Sequence, residues 1–175
     1  MQTYTSSTKL SGKTIAIMAA NGFNEAQMAE VQRTILSQAG VTKVISLETG
    51  LISGVNVNGW GLNFPVDLAF GDVLSSDFDG VIVIDGDASL EKLTESAHVK
   101  RILNGAIDAS IPVLLAGDAS SVTSVIDTDV VVAEGDETSV SGVVYTGALN
   151  GETNSVLTQF VDTLSGAGVE IKQAA

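Results

Sequence analysis

Residues 80–87 read GVIVIDGD, four β-branched apolar residues that end in an Asp-Gly-Asp turn. Residues 112–118 read PVLLAGD and have the same form, and residues 14–22, TIAIMAANG, end comparably at Asn-Gly. Short apolar runs that stop at turn residues are typical of strands buried on both faces of a parallel sheet. These three runs therefore predict the centre of such a sheet.

Residues 24–47 complete a β–α–β unit with the first of these strands. Asn24 has the side chain of a helix N-cap, and a helical pattern then continues to about Ala39. The apolar residues of this helix, expected to face the core, are Met28, Val31, Ile35 and Leu36. Residues 41–47 alternate between apolar and polar like a second strand. Such a unit implies a parallel sheet with helices on its faces.

Residues 49–66 interrupt this rhythm. Two strand-like runs, at residues 51–57 and 60–64, flank the dipeptide Asn58-Gly59. Asn-Gly between two such runs is the strongest short-range signal for a β-hairpin, so we expect a small antiparallel excursion after the second strand. Its residues Trp60, Leu62 and Phe64 either form a partner surface or fold back on the core.

The remaining sequence predicts more elements of the same kind. They are a helix over residues 95–109, a short helix near 121–126, strands near 130–133 and 143–146, and a helix over 153–164. Without an internal repeat, linker or low-complexity tract, the chain is expected to have a flexible N-terminus at residues 1–12 and one domain over 13–175. The expected fold class is α/β: a flavodoxin-like three-layer sandwich with a mostly parallel sheet, helices on both faces and a β-hairpin excursion.

Charge and composition exclude several classes of function. The 175 residues carry a formal net charge of −13, which disfavours contact with nucleic acid and with anionic membranes. Residues 1–13 have no apolar core of a signal peptide, and no apolar stretch reaches the ~20 residues of a membrane helix, so a cytoplasmic location is expected. Cysteine is absent, which excludes disulfides, thiolate ligands and a cysteine nucleophile.

Open α/β sheets bind ligands at the edge where the carboxyl ends of their strands meet. The residues expected to form a pocket at this edge are Asn21, Glu25, Asp85, Gly86, Asp118 and Ser120. Asp118 has two interpretations. It is a nucleophile or base near Glu25 or Asp85, or it caps a short helix together with the two residues that follow it. The cap is favoured because no histidine or lysine is placed to activate Asp118.

The same edge gives weak signals for bound groups. Asp85 and Asp87 offer oxygen ligands of the kind that Mg²⁺ and Ca²⁺ prefer, but Asp-Gly turns commonly follow strands. Residues 20–24 lack the Ser or Thr of an FMN phosphate loop, and the acidic pair and lysine of a phospho-receiver are missing too. The sole histidine, His98, is expected on a solvated helix surface. No metal and no cofactor are therefore expected.

The layout resembles the DJ-1/PfpI superfamily, relatives of the class I glutamine amidotransferases, over roughly residues 13–166. The matching pieces are residues 15–27, 51–64, 78–86 and 111–118. The resemblance implies an active site with a cysteine on a strand-to-helix elbow, a histidine after it and a glutamate on the first helix. The corresponding residues here are Gly117, Asp118 and Gln27. Because glycine offers no nucleophile, the covalent chemistry of that family lacks its first step.

Residues 115–119 and the acidic stretch 134–137 are also similar to the cysteine-less C-terminal flavodoxin-like domain of large-subunit catalases. The two resemblances imply a non-catalytic, self-associating binding or stress-related protein. It is expected to form a homodimer, as DJ-1/PfpI relatives commonly do, or to bind another protein. The alternatives are a carboxylate-dependent hydrolase or lyase that uses Asp118, and a detached accessory domain of a catalase.

Overall fold

The structure, a computed structural model, describes residues 8–149 and 155–166. Within these residues the strands, in chain order, are β1 Thr14–Met18, β2 Phe23–Asn24, β3 Val41–Ser46, β4 Gly50–Asn56, β5 Gly59–Val66, β6 Leu68–Ala69, β7 Gly80–Val83, β8 Val113–Ala116, β9 Thr138–Ser141 and β10 Val144–Gly147. The α-helices are α1 Glu25–Ser37, α2 Asp87–Thr94, α3 Ala97–Asp108 and α4 Ser155–Leu164. Short 3-10 helices cover Phe70–Asp72, Ser75–Asp77 and Gly117–Val125.

The main sheet has seven strands in the order β6-β3-β1-β7-β8-β10-β9. All neighbours are parallel except β10 and β9, which are antiparallel. The three runs predicted from the sequence are β1, β7 and β8, and they lie side by side in the middle. Ile17 of β1, for example, pairs with Val44 on one side and Ile82 on the other. The predicted mostly parallel sheet is therefore confirmed.

Two apolar cores lie on opposite faces of this sheet, because successive side chains of a strand point to opposite faces. Ile15 and Ile17 of β1 belong to the core under α1 and α4, whereas Ala16 and Met18 belong to the core under α2 and α3. The chain thus forms the expected three-layer α/β sandwich, of the flavodoxin-like kind.

The start of α1 follows the prediction closely. Asn24 caps the helix, since its Oδ1 accepts the backbone N–H of Gln27 at 3.0 Å. Met28, Val31 and Ile35 are buried as expected, but Leu36 is 61% exposed. Leu36 was expected in the core because it falls near the helical spacing of the other apolar residues. One step along the helix from Ile35 turns it away from the sheet.

The helix expected over 95–109 is confirmed as α3, which begins after its N-cap Ser96. The preceding helix α2 was not predicted, and one predicted strand is absent. Residues 130–133 form no strand: the N–H groups of Val131 and Ala133 bond the hydroxyls of Ser141 and Thr146 at 2.9 Å. Because β9 already occupies the edge beside β10, this apolar run has no backbone ladder to join.

The hairpin is present, with its turn one residue earlier than predicted. Asn56 pairs with Gly59, so Val57 and Asn58 make the turn. The hairpin joins β2 in a three-stranded sheet of order β2-β4-β5. Phe64 packs edge-on against Phe23, with ring centroids 5.3 Å apart, and so folds back on the core.

The two ends of the chain and one internal segment are only partly described. Residues 1–7, 150–154 and 167–175 lie outside the described residues, so the beginning of the predicted helix over 153–164 does too. Leu10 is fully buried, and its N–H bonds the carbonyl of Gln38 at 2.9 Å. None of the described helices is both long and apolar enough to span a bilayer.

Candidate functional site

The carboxyl ends of β7 and β8 and the start of α1 meet at one edge of the main sheet. Asp85 follows β7, Gly117 and Asp118 follow β8, and Gln27 lies in the first turn of α1. This is the edge at which open parallel sheets bind ligands. The predicted counterparts of the family active site therefore lie together.

Gly117 forms a sharp elbow between β8 and the 3-10 helix that follows. Its φ of +56° is in the left-handed region, which glycine adopts without the steric cost of a Cβ. A Cβ built on Gly117 would lie 2.8 Å from Oδ2 of Asp85 and 3.5 Å from Nε2 of Gln27. The space that a side chain at this elbow would enter is thus held by the Asp85 carboxylate.

Asp85 is fixed through both its backbone and its side chain. Its N–H donates to Oε1 of Gln27 at 2.7 Å, and its carbonyl accepts from the N–H of Asn24 at 2.7 Å. Its carboxylate accepts the N–H of Gly86 at 2.6 Å and that of Asp118 at 3.2 Å. These bonds tie β7 to both α1 and the elbow.

The backbone N–H of Asp118 stands where nucleophile elbows have an oxyanion donor. On nucleophile elbows, the N–H of the residue after the nucleophile helps to bind the oxyanion of an acyl-transfer intermediate. Here that donor already binds the Asp85 carboxylate. The predicted cap by Asp118 and its neighbours is wrong: the 3-10 helix starts at Gly117 and has no side-chain cap bond. The acceptor for the N–H of Asp118 is the carboxylate of Asp85, two residues after β7.

Partial burial raises the pKa of the Asp85 carboxyl above its ordinary value of 3.8. The N–H bonds from Gly86 and Asp118 work in the opposite direction, since they stabilise the ionised form. The negative charges of the Asp118 and Asp87 carboxylates add to the increase. Loss of hydration is thus the main reason that Asp85 holds its proton more tightly than a solvated aspartate.

Gln27 is suited to this position because an amide both donates and accepts. It is only 4% exposed, and besides accepting from Asp85 it donates through Nε2 to the carbonyl of Leu149 at 3.2 Å. An ionised glutamate would face that carbonyl with a second acceptor. The amide therefore satisfies both neighbours at the position that the resemblance assigns to a glutamate.

Two adjoining cavities open at this edge. A cavity of about 780 Å³ reaches toward the hairpin and one of about 480 Å³ toward Leu149. Both are lined by Asn24, Ala26, Asp85 and Asp118, and we call the two together the cleft. Among the described residues, those lining the cleft include no lysine, arginine or histidine.

A third cavity, of about 510 Å³, lies on the other side of Asp118. It places Asp118 beside Ser120, Asp87 and Glu91. Of the predicted pocket residues, Asp85, Gly86 and Asp118 thus line the cleft, and Ser120 lines this neighbouring cavity.

Asn21 and Glu25, also predicted for the pocket, bind the hairpin instead. Oδ1 of Asn21 accepts the N–H of Ser53 at 2.8 Å, and Oε2 of Glu25 accepts the N–H of Leu62 at 2.8 Å. The edge brings them near the strand ends but does not place them in the lining of the cleft.

Sequence reasoning missed the hairpin wall of the cleft and its far end at Leu149. Val55 and Val57 line the larger cavity, and Leu149 lines the smaller one. The hairpin signal was present, but nothing in the sequence related residues 55–57 to β7.

His98 is exposed, as expected, with Nδ1 3.5 Å from a guanidinium nitrogen of Arg101. Residues 8–149 and 155–166 contain no group of three or more acidic or histidine side chains placed to hold a metal ion.

Comparison with known proteins gives similarity of structure only. No protein-family model matches the sequence, and no curated protein matches it. Among solved structures, DJ-1 from Toxoplasma gondii in its oxidised form is similar with a TM-score of 0.72 and 14% identity, over 87% of this chain and 90% of that one. A ThiJ/PfpI domain protein from Brachyspira murdochii gives 0.67 and 19%, over 90% and 96%.

A two-domain protein from Anabaena variabilis, with a DJ-1/ThiJ/PfpI-like and a ferritin-like domain, has a TM-score of 0.74 at 15% identity. The similarity covers 87% of this chain and 48% of that protein, so the chain spans about half its length. At identities this low, the structural similarity establishes a common fold and nothing more. The chain has the fold of the DJ-1/ThiJ/PfpI domains.

Proposed function

We propose that this chain is a DJ-1/PfpI-type domain that binds a small molecule in the cleft and carries out none of the thiol chemistry of that superfamily. One observation carries the proposal: Oδ2 of Asp85 lies 2.8 Å from the point where a side chain of residue 117 would begin. The elbow lacks a nucleophile, and the donor beside it is engaged by a carboxylate of the protein itself.

The lining of the cleft indicates the class of ligand. It combines apolar side chains such as Val55 and Val57 with the carboxyl groups of Asp85, Asp87 and Asp118. Binding sites of this size recognise small molecules through apolar contact and a few polar groups. Since the lining that the structure describes includes no basic side chain, a neutral or cationic molecule fits better than an anion.

Residues 13–175 are proposed to form one domain that self-associates as a homodimer in the cytoplasm. The similarity to the C-terminal domain of large catalases and a role in stress remain predictions. A carboxylate-dependent hydrolase or lyase is the second candidate, favoured by the raised pKa of Asp85 in a cleft. Glu25 is a poor partner for Asp118 in such an enzyme, because its carboxylate binds the hairpin.

Native mass spectrometry tests the binding proposal. The protein is purified without denaturation from the organism that naturally produces it. Ala26 is exposed on α1 and lines both cavities, so Ala26→Phe fills the cleft. Ala29→Phe adds the same ring at an exposed site on the same helix that lines neither cavity. We expect added mass from a small molecule on the wild type and on Ala29→Phe, and its loss from Ala26→Phe. A mass without any bound molecule for all three proteins, whether as monomer or as dimer, would contradict the proposal.

Turnover assays separate the two candidate functions. We expect the wild type to consume a dicarbonyl such as methylglyoxal, or a peptide, no faster than Asp118→Asn and Asp85→Asn, because none of these proteins has a thiol. Activity that either substitution abolishes would support the hydrolase or lyase instead, provided that Asp118→Asn leaves the melting temperature unchanged.

Substitution of Gly117 tests the contact at the elbow, with Gly135 as the matched control. Gly135 has nearly the same φ, +58°, but its Cβ would meet nothing within 4 Å. Gly135→Ala is expected to cost about 1 kcal/mol of unfolding free energy from backbone strain alone. Gly117→Ala is expected to cost at least about 1 kcal/mol more, because the Asp85 carboxylate must leave its two N–H donors. Urea unfolding measures both values.

A double-mutant cycle completes that test. The extra cost of Gly117→Ala should shrink when Asp85→Ala is also present, since contacting residues are not additive. Equal costs for the two glycines, or a cost at Gly117 that is independent of Asp85, would show that the carboxylate does not fill the elbow.

The raised pKa of Asp85 predicts a pH dependence. Between pH 3.8 and its raised pKa, the folded protein holds the Asp85 proton more tightly than the unfolded chain does. Stability from this group is therefore lost as the pH rises through that window. Relative to the wild type, Asp85→Asn should gain unfolding free energy as the pH rises from about 4 through the raised pKa of Asp85. Asp108→Asn, which removes an exposed carboxylate at the end of α3, is the control. A pH-independent difference between Asp85→Asn and the wild type would contradict the assignment.

A further inference from the structure

Asparagine is a chemically labile residue, and it loses ammonia most readily when glycine follows it. The backbone nitrogen of the glycine attacks the side-chain carbonyl carbon of the asparagine, and a glycine has no Cβ to hinder the approach. The sequence contains four Asn-Gly pairs, which begin at Asn21, Asn58, Asn104 and Asn150. The last of them lies outside the described residues. The other three differ in how firmly the structure holds their reacting groups.

At Asn21 both reacting groups are bound by one residue of the hairpin. Oδ1 of Asn21 accepts the N–H of Ser53 at 2.8 Å, and the N–H of Gly22 donates to the carbonyl of Ser53 at 2.9 Å. Gly22 is also packed closely against α2, since a Cβ built on it would lie 2.7 Å from Cβ of Ala88. Attack at Asn21 therefore requires both hydrogen bonds to break and the glycine to move.

At Asn104 the side chain is bound at both of its polar atoms. Nδ2 donates to the carbonyls of Lys100 and Val125, each at 2.9 Å, and Oδ1 accepts the N–H of Asp127 at 2.8 Å. Asn104 and Gly105 both lie inside α3. The N–H of an interior helical residue is directed to the carbonyl four residues earlier, so the Gly105 nitrogen does not approach the Asn104 amide.

Asn58 lies in the turn of the hairpin, where its side-chain amide has no hydrogen-bond partner among residues 8–149 and 155–166. Its backbone N–H donates to Oδ1 of Asn56 at 2.8 Å. Asn58 and Gly59 are both exposed, and a Cβ built on Gly59 would meet nothing within 4 Å. Asn56–Gly59 is the last pair of the β4–β5 ladder, and such ends open at little cost. Both reacting groups of this pair are therefore free to move.

We infer that Asn58 is a site of spontaneous deamidation, and that it is the reactive one of the three Asn-Gly pairs in the described part of the chain. The nitrogen of Gly59 forms a bond to Cγ of Asn58. The amide group leaves as ammonia and takes the proton of the Gly59 nitrogen with it, so a cyclic succinimide remains. Water then breaks one of the two C–N bonds of this ring, adding a hydroxyl to the carbonyl carbon and a proton to the nitrogen. The product is aspartate or isoaspartate, depending on which bond breaks.

The reaction changes the hairpin wall of the cleft. Residues 50–66 carry no charge before it, so the new carboxylate is the first charge on the hairpin. Asn56 and Val57, which directly precede Asn58, line the larger cavity. Isoaspartate also adds a methylene group to the backbone of the turn, and the length of a turn fixes the register of its strands. Modification therefore loosens the pairing of Asn56 with Gly59 and makes the edge of the cleft more negative.

Peptide mapping by mass spectrometry tests the inference on the full chain, aged at neutral pH either folded or unfolded in urea. Electron-transfer fragmentation distinguishes isoaspartate from aspartate in each peptide. In the folded chain we expect Asn58 to deamidate at least about tenfold faster than Asn21 and Asn104, because those pairs must first break their hydrogen bonds. In urea the three rates should converge, because only the neighbouring residue then affects them.

Two variants of the hairpin complete the test. Asn58→Gln is expected to abolish the reaction at Gly59, because its longer side chain closes a larger and less favourable ring. Asn63→Gln makes the same change at an exposed asparagine of β5 that phenylalanine follows, and it should leave the rate at Asn58 unchanged. Equal rates at Asn58, Asn21 and Asn104 in the folded chain would overturn the inference, as would an unreacted Asn58 in a folded sample whose urea counterpart reacts. The inference is independent of the proposed ligand binding, and neither result bears on it.

Discussion

The carboxylate of Asp85, held by the N–H groups of Gly86 and Asp118, is the interaction on which the candidate site depends. It joins the ends of two central strands, while Gln27 fastens the backbone of Asp85 to the first helix. Only a glycine at position 117 leaves room for that carboxylate. The missing side chain at the elbow and the partly buried carboxyl group beside it are therefore one structural feature.

This arrangement changes the chemistry available at the strand ends. An elbow with a thiolate and a free N–H donor attacks carbonyl groups and stabilises the oxyanion that results. An elbow with glycine, whose neighbouring donor binds an internal carboxylate, offers shape, apolar contact and negative charge. The cleft in which we propose that a small molecule binds is bordered on one side by the hairpin, whose residues 50–66 carry no charge.

Local patterns explain why much of the fold was predictable. Continuous apolar runs predicted the central strands β1, β7 and β8, and Asn24 predicted the start of α1, because burial on both faces and helix capping depend on neighbouring residues. Errors arose where distant residues compete. Residues 130–133 have the pattern of a strand, but β9 occupies the edge they would need. Leu36 follows the buried Ile35 yet faces solvent.

The sequence by itself determined that the chain has no thiol, and it predicted glycine, aspartate and glutamine at the three positions that the resemblance assigns to the family active site. It also determined that residues 50–66 carry no charge. Only the tertiary structure decided that Asp85 fills the elbow, that Gln27 bridges Asp85 and Leu149, and that Glu25 serves the hairpin. These contacts join residues 33, 122 and 37 positions apart in the chain, and such pairs are fixed by the stacking of strands and helices, which no local pattern encodes.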